Sequence, residues 1–152
     1  MKFSKAFTLI ELLIVVGIGT TIFTVGVAGY REFSRRQLLT DASKKMISDL
    51  RYIQTLALIG DKPTGACTKL NGYTFSRIDQ DTYTLIANCS NVSTTIKTVD
   101  LTGITFTAIT AQTMFKVLGQ GTDLAATNTV TLTHTTSGST KQIIIGTGGS
   151  IK

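Results

Sequence analysis

A long apolar stretch near the N-terminus, residues 7–30, limits what this chain can fold into more than any other feature. Its sequence is FTLIELLIVVGIGTTIFTVGVAGY, and Glu11 is the only charged side chain within it. A helix rises about 1.5 Å per residue, so a helix of this length spans roughly 36 Å, enough to cross the hydrocarbon core of a bilayer. The stretch therefore predicts a transmembrane helix.

A short basic segment, MKFSKA (residues 1–6), precedes the apolar stretch. A cleaved secretory signal also begins with basic residues followed by an apolar run. This run is longer than the core of such a signal, and residues 25–28 (VGVA) match the A-x-A cleavage pattern poorly. An uncleaved signal anchor is the remaining alternative. A carboxylate inside a segment of hydrocarbon length costs a few kcal/mol unless it is paired, so Glu11 is predicted to be functional.

The junction KA-FTLIELLIVV resembles the class III signal of type IV pilins and type II secretion pseudopilins. In that family, a short basic leader and a small residue precede F-T-L-x-E at the start of a long apolar helix. The resemblance implies that a prepilin peptidase cuts between Ala6 and Phe7 on the cytoplasmic side and methylates the new amine of Phe7. It also implies that this amine pairs with Glu11 of a neighbouring subunit, because each charge is costly alone in apolar surroundings.

Two positions depart from the family pattern. Ala6 stands where the family usually has Gly, and Ala28 and Gly29 precede Tyr30 where major pilins usually carry a proline. The missing proline favours a minor pilin or a pseudopilin over a main shaft subunit. The second half of the chain resembles H-type pseudopilins and FimT-like minor pilins through residues 115–119 (FKVLG) and 143–149 (IIIGTGG).

The sequence becomes amphipathic after residue 30. Apolar side chains recur at three- and four-residue spacing on one face of a helix, at Leu39, Ala42, Met46, Leu50, Ile53 and Ala57. We expect the helix to continue to about Ile59 and to end at residues 60–63 (GDKP). Basic side chains exceed acidic ones by three in residues 31–60. This surplus is either a solvated helix face or a contact for anionic lipid headgroups.

The rest of the chain, residues 61–152, is rich in Thr, Gly and Ile and predicts strands. The predicted strands are 72–78, 82–87, 93–101, 105–109, 113–118, 128–135 and 141–145, with hairpin turns at 79–81 and 137–139. The predicted fold class is α+β, with one long N-terminal helix packed on a C-terminal antiparallel head. We divide the chain into a leader (1–6), a transmembrane or filament-core helix (7–30), its amphipathic continuation (31–60) and a β-rich pilin-like head (61–152). The resemblance implies this arrangement, in which a long helix carries a globular head at its C-terminal end.

Few residues of the head suggest chemistry. Cys67 and Cys89 fit a disulfide worth roughly 3 kcal/mol in an oxidising compartment, with buried free thiols as the alternative. His134 has no triad pattern around it, and we expect a partly exposed strand residue. Residues 146–149 (GTGG) lack a following helix that would cradle a phosphate, and the acids around residues 79–81 are too few for a calcium loop. We expect no catalytic residues, no metal and no cofactor.

Together these features predict a structural subunit, not an enzyme. The resemblance implies a single-pass inner-membrane protein that assembles into a type IV pilus or a type II secretion-like filament, with its N-terminus in the cytoplasm and its head outside. Its partners would be the prepilin peptidase, other subunits and membrane lipid. One alternative is a filament-tip module that binds DNA or a surface, which the net charge of +6 permits. Another is a lone signal-anchored β domain.

Overall fold

The computed structural model describes residues 8–65 and 67–152. In that part of the chain, one long helix, α1 (Leu9–Ile59), is followed by strands and a short 3-10 turn (Val117–Gly119). The strands are β1 (Leu70–Arg77), β2 (Thr82–Cys89), β3 (Ser93–Asp100), β4 (Ile104–Ala108), β5 (Gln112–Lys116), β6 (Asn128–His134) and β7 (Thr140–Ile145). The predicted α+β class, a long apolar N-terminal helix before antiparallel strands, is confirmed. The predicted leader and the Ala6–Phe7 bond lie outside the described residues.

The chain divides into two compact units, one ending at Gln37 and the other comprising Leu38–Lys152. The first unit contains the apolar segment of α1, which is described with the candidate site below. The second unit contains the rest of α1 and all the strands.

The C-terminal end of α1 is set by Gly60, whose φ of +68° is left-handed. The N–H of Gly60 donates to the carbonyl of Ala57 (3.2 Å), and the N–H of Asp61 donates to the carbonyl of Leu56 (3.1 Å). This pair of bonds is a Schellman motif, which satisfies carbonyls that the last turn would leave free, and glycine adopts the required conformation without steric cost. The predicted helix end at Ile59 is confirmed.

The core of the second unit forms between α1 and the strands. All six residues of the predicted apolar helix face are buried, because their spacing places them on one side of α1: Leu39, Ala42, Met46, Leu50, Ile53 and Ala57. They belong to one cluster with inward side chains of the strands, among them Tyr73, Phe75, Tyr83, Leu85, Phe106, Phe115, Leu132 and Ile143. The helix thus contributes one wall of the hydrophobic core.

The strands form two antiparallel sheets. Sheet A has the order β3-β2-β1-β5, and sheet B has the order β4-β6-β7. The chain therefore leaves sheet A for β4, returns to it for β5 and leaves it again for β6 and β7. The rings of Phe75 and Tyr83 in sheet A lie 6.3 Å and 6.0 Å from the ring of Phe106 in sheet B. These aromatic contacts join the two sheets.

The strand predicted at 113–118 is wrong at its end. β5 stops at Lys116, and a 3-10 turn follows in which Leu118 has φ 54° and ψ 35°. A left-handed residue cannot continue an extended strand, and it turns the chain back so that the N–H of Lys116 bonds the carbonyl of Gly121 (2.9 Å). The alternating sequence of β5 gave no sign of this turn.

Candidate membrane and assembly segment

The first part of α1 carries apolar side chains on all sides. Every residue from 9 to 26 is exposed, and the large apolar ones are Leu9, Ile10, Leu12, Leu13, Ile14, Val15, Val16, Ile18, Ile22, Phe23 and Val25. A helix that is apolar all round is suited to a membrane or to burial among other helices, and it is poorly suited to water. By length and composition α1 is able to cross a membrane.

Glu11 lies in the first turn of this helix, three residues after Thr8. The N–H of Glu11 donates to Thr8 Oγ1 (3.3 Å), and the N–H of Leu12 donates to the carbonyl of Thr8 (3.2 Å). Thr8 therefore caps the helix, and T-x-x-E is the spacing of a capping box. A carboxylate at this position is also favoured by the positive end of the helix dipole. Thr8 thus has a capping role that was not predicted, although its position three residues before Glu11 is visible in the sequence.

The carboxylate of Glu11 is exposed. Within residues 8–65 and 67–152 it forms no ion pair. The charge is therefore free to pair with a group outside this part of the chain.

Three threonines in the apolar segment bond back to their own helix. Thr20 Oγ1 donates to the carbonyl of Gly17 (2.9 Å), Thr21 Oγ1 to that of Ile18 (2.8 Å) and Thr24 Oγ1 to that of Thr21 (2.9 Å). Each hydroxyl proton therefore has an acceptor without water. This satisfies the main requirement for polar groups in hydrocarbon.

The glycines of the apolar segment leave open space on the helix surface. Apart from its chain neighbours and the backbone of the same helix, no atom lies within 4 Å of a Cβ built on Gly17, Gly19, Gly26 or Gly29. Small residues on a membrane helix allow another helix backbone to approach closely. This surface is therefore compatible with helix–helix packing.

A disulfide joins Cys67 to Cys89 in the second unit, with the Cα atoms 5.5 Å apart. It fixes the segment before β1 to the end of β2. Beside it, the N–H of Thr68 donates to Asn91 Oδ1 (3.1 Å), and Thr68 Oγ1 lies 3.0 Å from Ser90 Oγ. Disulfide bonds such as Cys67–Cys89 persist in oxidising compartments.

A buried carboxylate, Asp49, connects the helix to sheet A. Tyr83 Oη donates to Asp49 Oδ2 (2.8 Å), and Lys97 Nζ lies 2.8 Å from Oδ1 and 3.1 Å from Oδ2. Burial, followed by the hydrogen bond to Asp49, raises the pKa of the Tyr83 hydroxyl above its usual value. These three residues lie on different elements, and sequence reasoning did not associate them.

Lys97 lies directly after a β-bulge in β3. Leu85 pairs with Lys97, whereas the next residue of β2, Ile86, pairs with Thr95, so Ile96 is an extra residue in β3. By strand alternation, Lys97 shares the inner face with Val99, which is buried. The inner face therefore carries a lysine directly opposite the buried acid of α1.

His134 differs from its prediction. It is the last residue of β6 and is buried, not partly exposed. Its Nδ1 accepts hydrogen bonds from the N–H groups of Thr136 and Ser137, both at 3.2 Å. The side chain organises the turn between β6 and β7. Its burial follows strand alternation, because His134 shares the inner face of β6 with Val130 and Leu132.

Two segments that carried the resemblance of the second half lie together. Gln54 of α1 donates from Nε2 to the carbonyl of Gly149 (2.8 Å), and a Cβ on Gly149 would lie 4.0 Å from Phe115. Residues 115–119 and 143–149 therefore meet beside the helix. The second segment forms a turn, in which the N–H of Gly149 bonds the carbonyl of Gly146 (2.9 Å).

The acidic turn between β1 and β2 provides no cluster of metal ligands. Asp79 and Asp81 are exposed, and Asp81 Oδ1 accepts a hydrogen bond from Thr82 Oγ1 (3.0 Å). In the part of the chain that the structure describes, no group of three His, Cys, Asp or Glu side chains is placed to hold a metal ion.

Comparison of the chain with protein-family models, with curated proteins and with solved structures gives no match.

Proposed function

We propose that this chain is a structural subunit, a minor pilin or pseudopilin, of a type IV pilus or a type II secretion-like filament. The observation that carries the proposal is an apolar helix, exposed on all sides, with one carboxylate in its first turn. Such a surface must be covered by lipid or by other subunits, because exposed apolar area of this extent is unfavourable in water. In a filament subunit, lipid covers the apolar helix before assembly and other subunits cover it afterwards.

The mechanism begins with insertion of the precursor, leader in the cytoplasm and head outside. A prepilin peptidase cuts between Ala6 and Phe7 and methylates the new amine. The subunit then leaves the bilayer as its apolar segment packs among those of its neighbours. Glu11 of the incoming subunit pairs with the Phe7 amine of a neighbour, and this ion pair sets the register because an unpaired charge there is costly.

Three further observations support the proposal. The hydroxyls of Thr20, Thr21 and Thr24 are satisfied within the helix, so the segment contains few polar groups that need water. The Cys67–Cys89 disulfide suits a head outside the cytoplasm, where thiols are oxidised. The head also has its own core, as a domain exposed on a filament requires.

The charge of Glu11 and the helix cap at Thr8 can be tested separately by substitution. Glu11→Gln keeps a side chain that can complete a capping box but removes the charge, whereas Thr8→Ala removes the cap and keeps the charge. We expect Glu11→Gln to be cleaved normally but to fall at least about tenfold in sheared filaments, because an unpaired Phe7 amine would be left in the filament core. Thr8→Ala, the matched control, should stay within about twofold, because a lost cap costs only about 1 kcal/mol.

Immunoblots of sheared filament and membrane fractions measure incorporation, and the N-terminal mass of the membrane form checks cleavage in each variant. Wild-type incorporation of Glu11→Gln would refute the charge pair. Equal loss in Glu11→Gln and Thr8→Ala would contradict a specific role for the charge and would show that any disturbance of the first helical turn prevents incorporation.

A further inference from the structure

Two arginines extend one side of the apolar segment beyond its end. Arg31 follows Val27 by one helical turn, Arg35 follows Arg31 by another, and Phe23 precedes Val27 by the same spacing. A shallow recess along this side, about 460 Å³ in volume, is lined by Phe23, Thr24, Val27, Arg31, Glu32 and Arg35. The recess is therefore apolar at one end and cationic at the other.

The charges at the cationic end are not balanced within the chain. Glu32 is half-buried and lines the recess, but its Oε1 accepts a hydrogen bond from Arg36 Nε (2.9 Å), which lies outside the recess. In residues 8–65 and 67–152, no acidic side chain forms an ion pair with Arg31 or Arg35. Two guanidinium groups are thus available to an anion.

The depth of these arginines matches a lipid headgroup layer if α1 lies in a bilayer. A hydrocarbon core of about 30 Å takes roughly 20 helical residues, so a span beginning near Leu9 ends close to residue 28. Arg31 and Arg35 then lie roughly 4 to 11 Å beyond the hydrocarbon, where phosphate groups are found. Tyr30 and Phe33 are exposed at the same level, and tyrosine in particular is favoured at the membrane interface.

We propose that Arg31 and Arg35 bind the phosphodiester of an anionic phospholipid, with an acyl chain lying along Val27 and Phe23. A guanidinium donates two parallel hydrogen bonds to phosphate oxygens, and the apolar end of the recess suits the hydrocarbon of the same molecule. Charge complementarity selects an anionic lipid, because a zwitterionic headgroup carries its own cation. The inference rests on the membrane placement in the proposed function, and it does not need a filament.

Native mass spectrometry of the full chain in detergent, with equal amounts of dioleoyl-phosphatidylglycerol and dioleoyl-phosphatidylcholine, tests the proposal. We expect the wild type to retain phosphatidylglycerol preferentially. In the double variant R31Q/R35Q this preference should fall about 25-fold, since each basic residue near an anionic lipid contributes about a fivefold factor. The matched control K44Q/K45Q loses the same charge from exposed lysines about 14 to 21 Å further along α1, and it should stay within about twofold of the wild type.

Three outcomes would overturn the proposal. Unchanged lipid preference in R31Q/R35Q would remove the site. Equal losses in R31Q/R35Q and K44Q/K45Q would show a general charge effect. Displacement of the lipid by excess glycerol phosphate would show that the anion needs no acyl chain and that the ligand is a soluble phosphate.

The experiment also separates this inference from the proposed function. Glu11→Gln should keep the full lipid preference even though it fails to assemble. Loss of lipid preference in R31Q/R35Q with cleavage intact would support the site whether or not a filament forms. Circular dichroism of each variant in the same detergent confirms that α1 is folded.

Discussion

At the scale of single residues, Asp49 makes two polar contacts, an ion pair with Lys97 and a hydrogen bond with Tyr83, and they contribute unequally to stability. The Lys97 side chain is 44% exposed, so its ion pair with Asp49 contributes roughly 0–1 kcal/mol. Tyr83 is fully buried, and its hydrogen bond to the carboxylate is worth about 1.5–3 kcal/mol. The buried hydrogen bond between Tyr83 and Asp49 is therefore the stronger link between α1 and sheet A.

This link makes the stability of the second unit depend on pH in alkaline solution. Burial and Asp49 raise the pKa of Tyr83, and burial followed by the charge of Asp61 raises the pKa of Tyr73. Below pH 10 both states keep the tyrosine protons and the full stability remains. Above pH 10 the unfolded chain loses these protons first, so the free energy of unfolding should fall as the pH rises, by up to about 1.4 kcal/mol per pH unit for Tyr83.

Urea unfolding of the full chain in detergent, followed by far-ultraviolet circular dichroism from pH 8 to 11, measures this slope. Tyr83→Phe should lower the stability by about 1–3 kcal/mol at pH 8, because Asp49 loses a donor. It should also reduce the slope above pH 10 by the contribution of one tyrosine. Identical slopes in the two proteins would contradict the assignment.

Apart from the Cys67–Cys89 pair, the residues that could be predicted from the sequence were those with a local signal. The face of α1 from Leu39 to Ala57 is confirmed, because helical period alone sorts buried from exposed positions. Asp49, Tyr83 and Lys97 belong to a helix, a strand and a bulged strand, and their association depends on a register that no local pattern encodes. The burial of His134 was missed although it is local, since strand alternation places His134 on the same buried face as Val130 and Leu132.

At the scale of elements, two glycines in turns offer a controlled comparison. Gly121 has φ +76°, and a Cβ there would lie 2.8 Å from the carbonyl oxygen of Thr147. Gly138 has φ +67° but open space around it. Both turns require a left-handed residue, and only the first also requires the absence of a side chain.

We expect Gly121→Ala to destabilise the second unit by at least about 2 kcal/mol and Gly138→Ala by about 1 kcal/mol. The first change adds displacement of the Thr147 backbone to the strain that both share. The midpoints of urea unfolding in the same detergent measure the difference. Equal losses would mean that the segment around Thr147 adjusts freely, which would contradict the close approach of the two turns.

The positions of most strands were predictable, but their arrangement was not. Alternation and turn residues located β1 and β2 because they form a local hairpin. The return of the chain from sheet B to pair β5 with β1 joins residues about forty positions apart, such as Tyr73 and Phe115. Such pairing is set by the shared core and leaves no mark in either strand alone.

At the scale of the whole molecule, the two units differ in what covers their apolar side chains. The second unit buries its own core between α1 and two sheets. The apolar side chains of residues 9–26 remain exposed within the chain, so their cover must come from lipid or from other molecules. This contrast is the physical basis for proposing a membrane-inserted precursor that later joins an assembly.

The proposal makes one covalent prediction that no other account of the chain shares. Mass spectrometry of the N-terminus, on protein from its native membrane, should find a chain that begins at N-methylated Phe7. In the proposed pathway, the cut at Ala6–Phe7 would remove the basic leader and create the amine with which Glu11 would pair. A chain that still begins at Met1 would contradict the account and leave a signal anchor, and cleavage after Ala28 would contradict it by removing the apolar helix altogether.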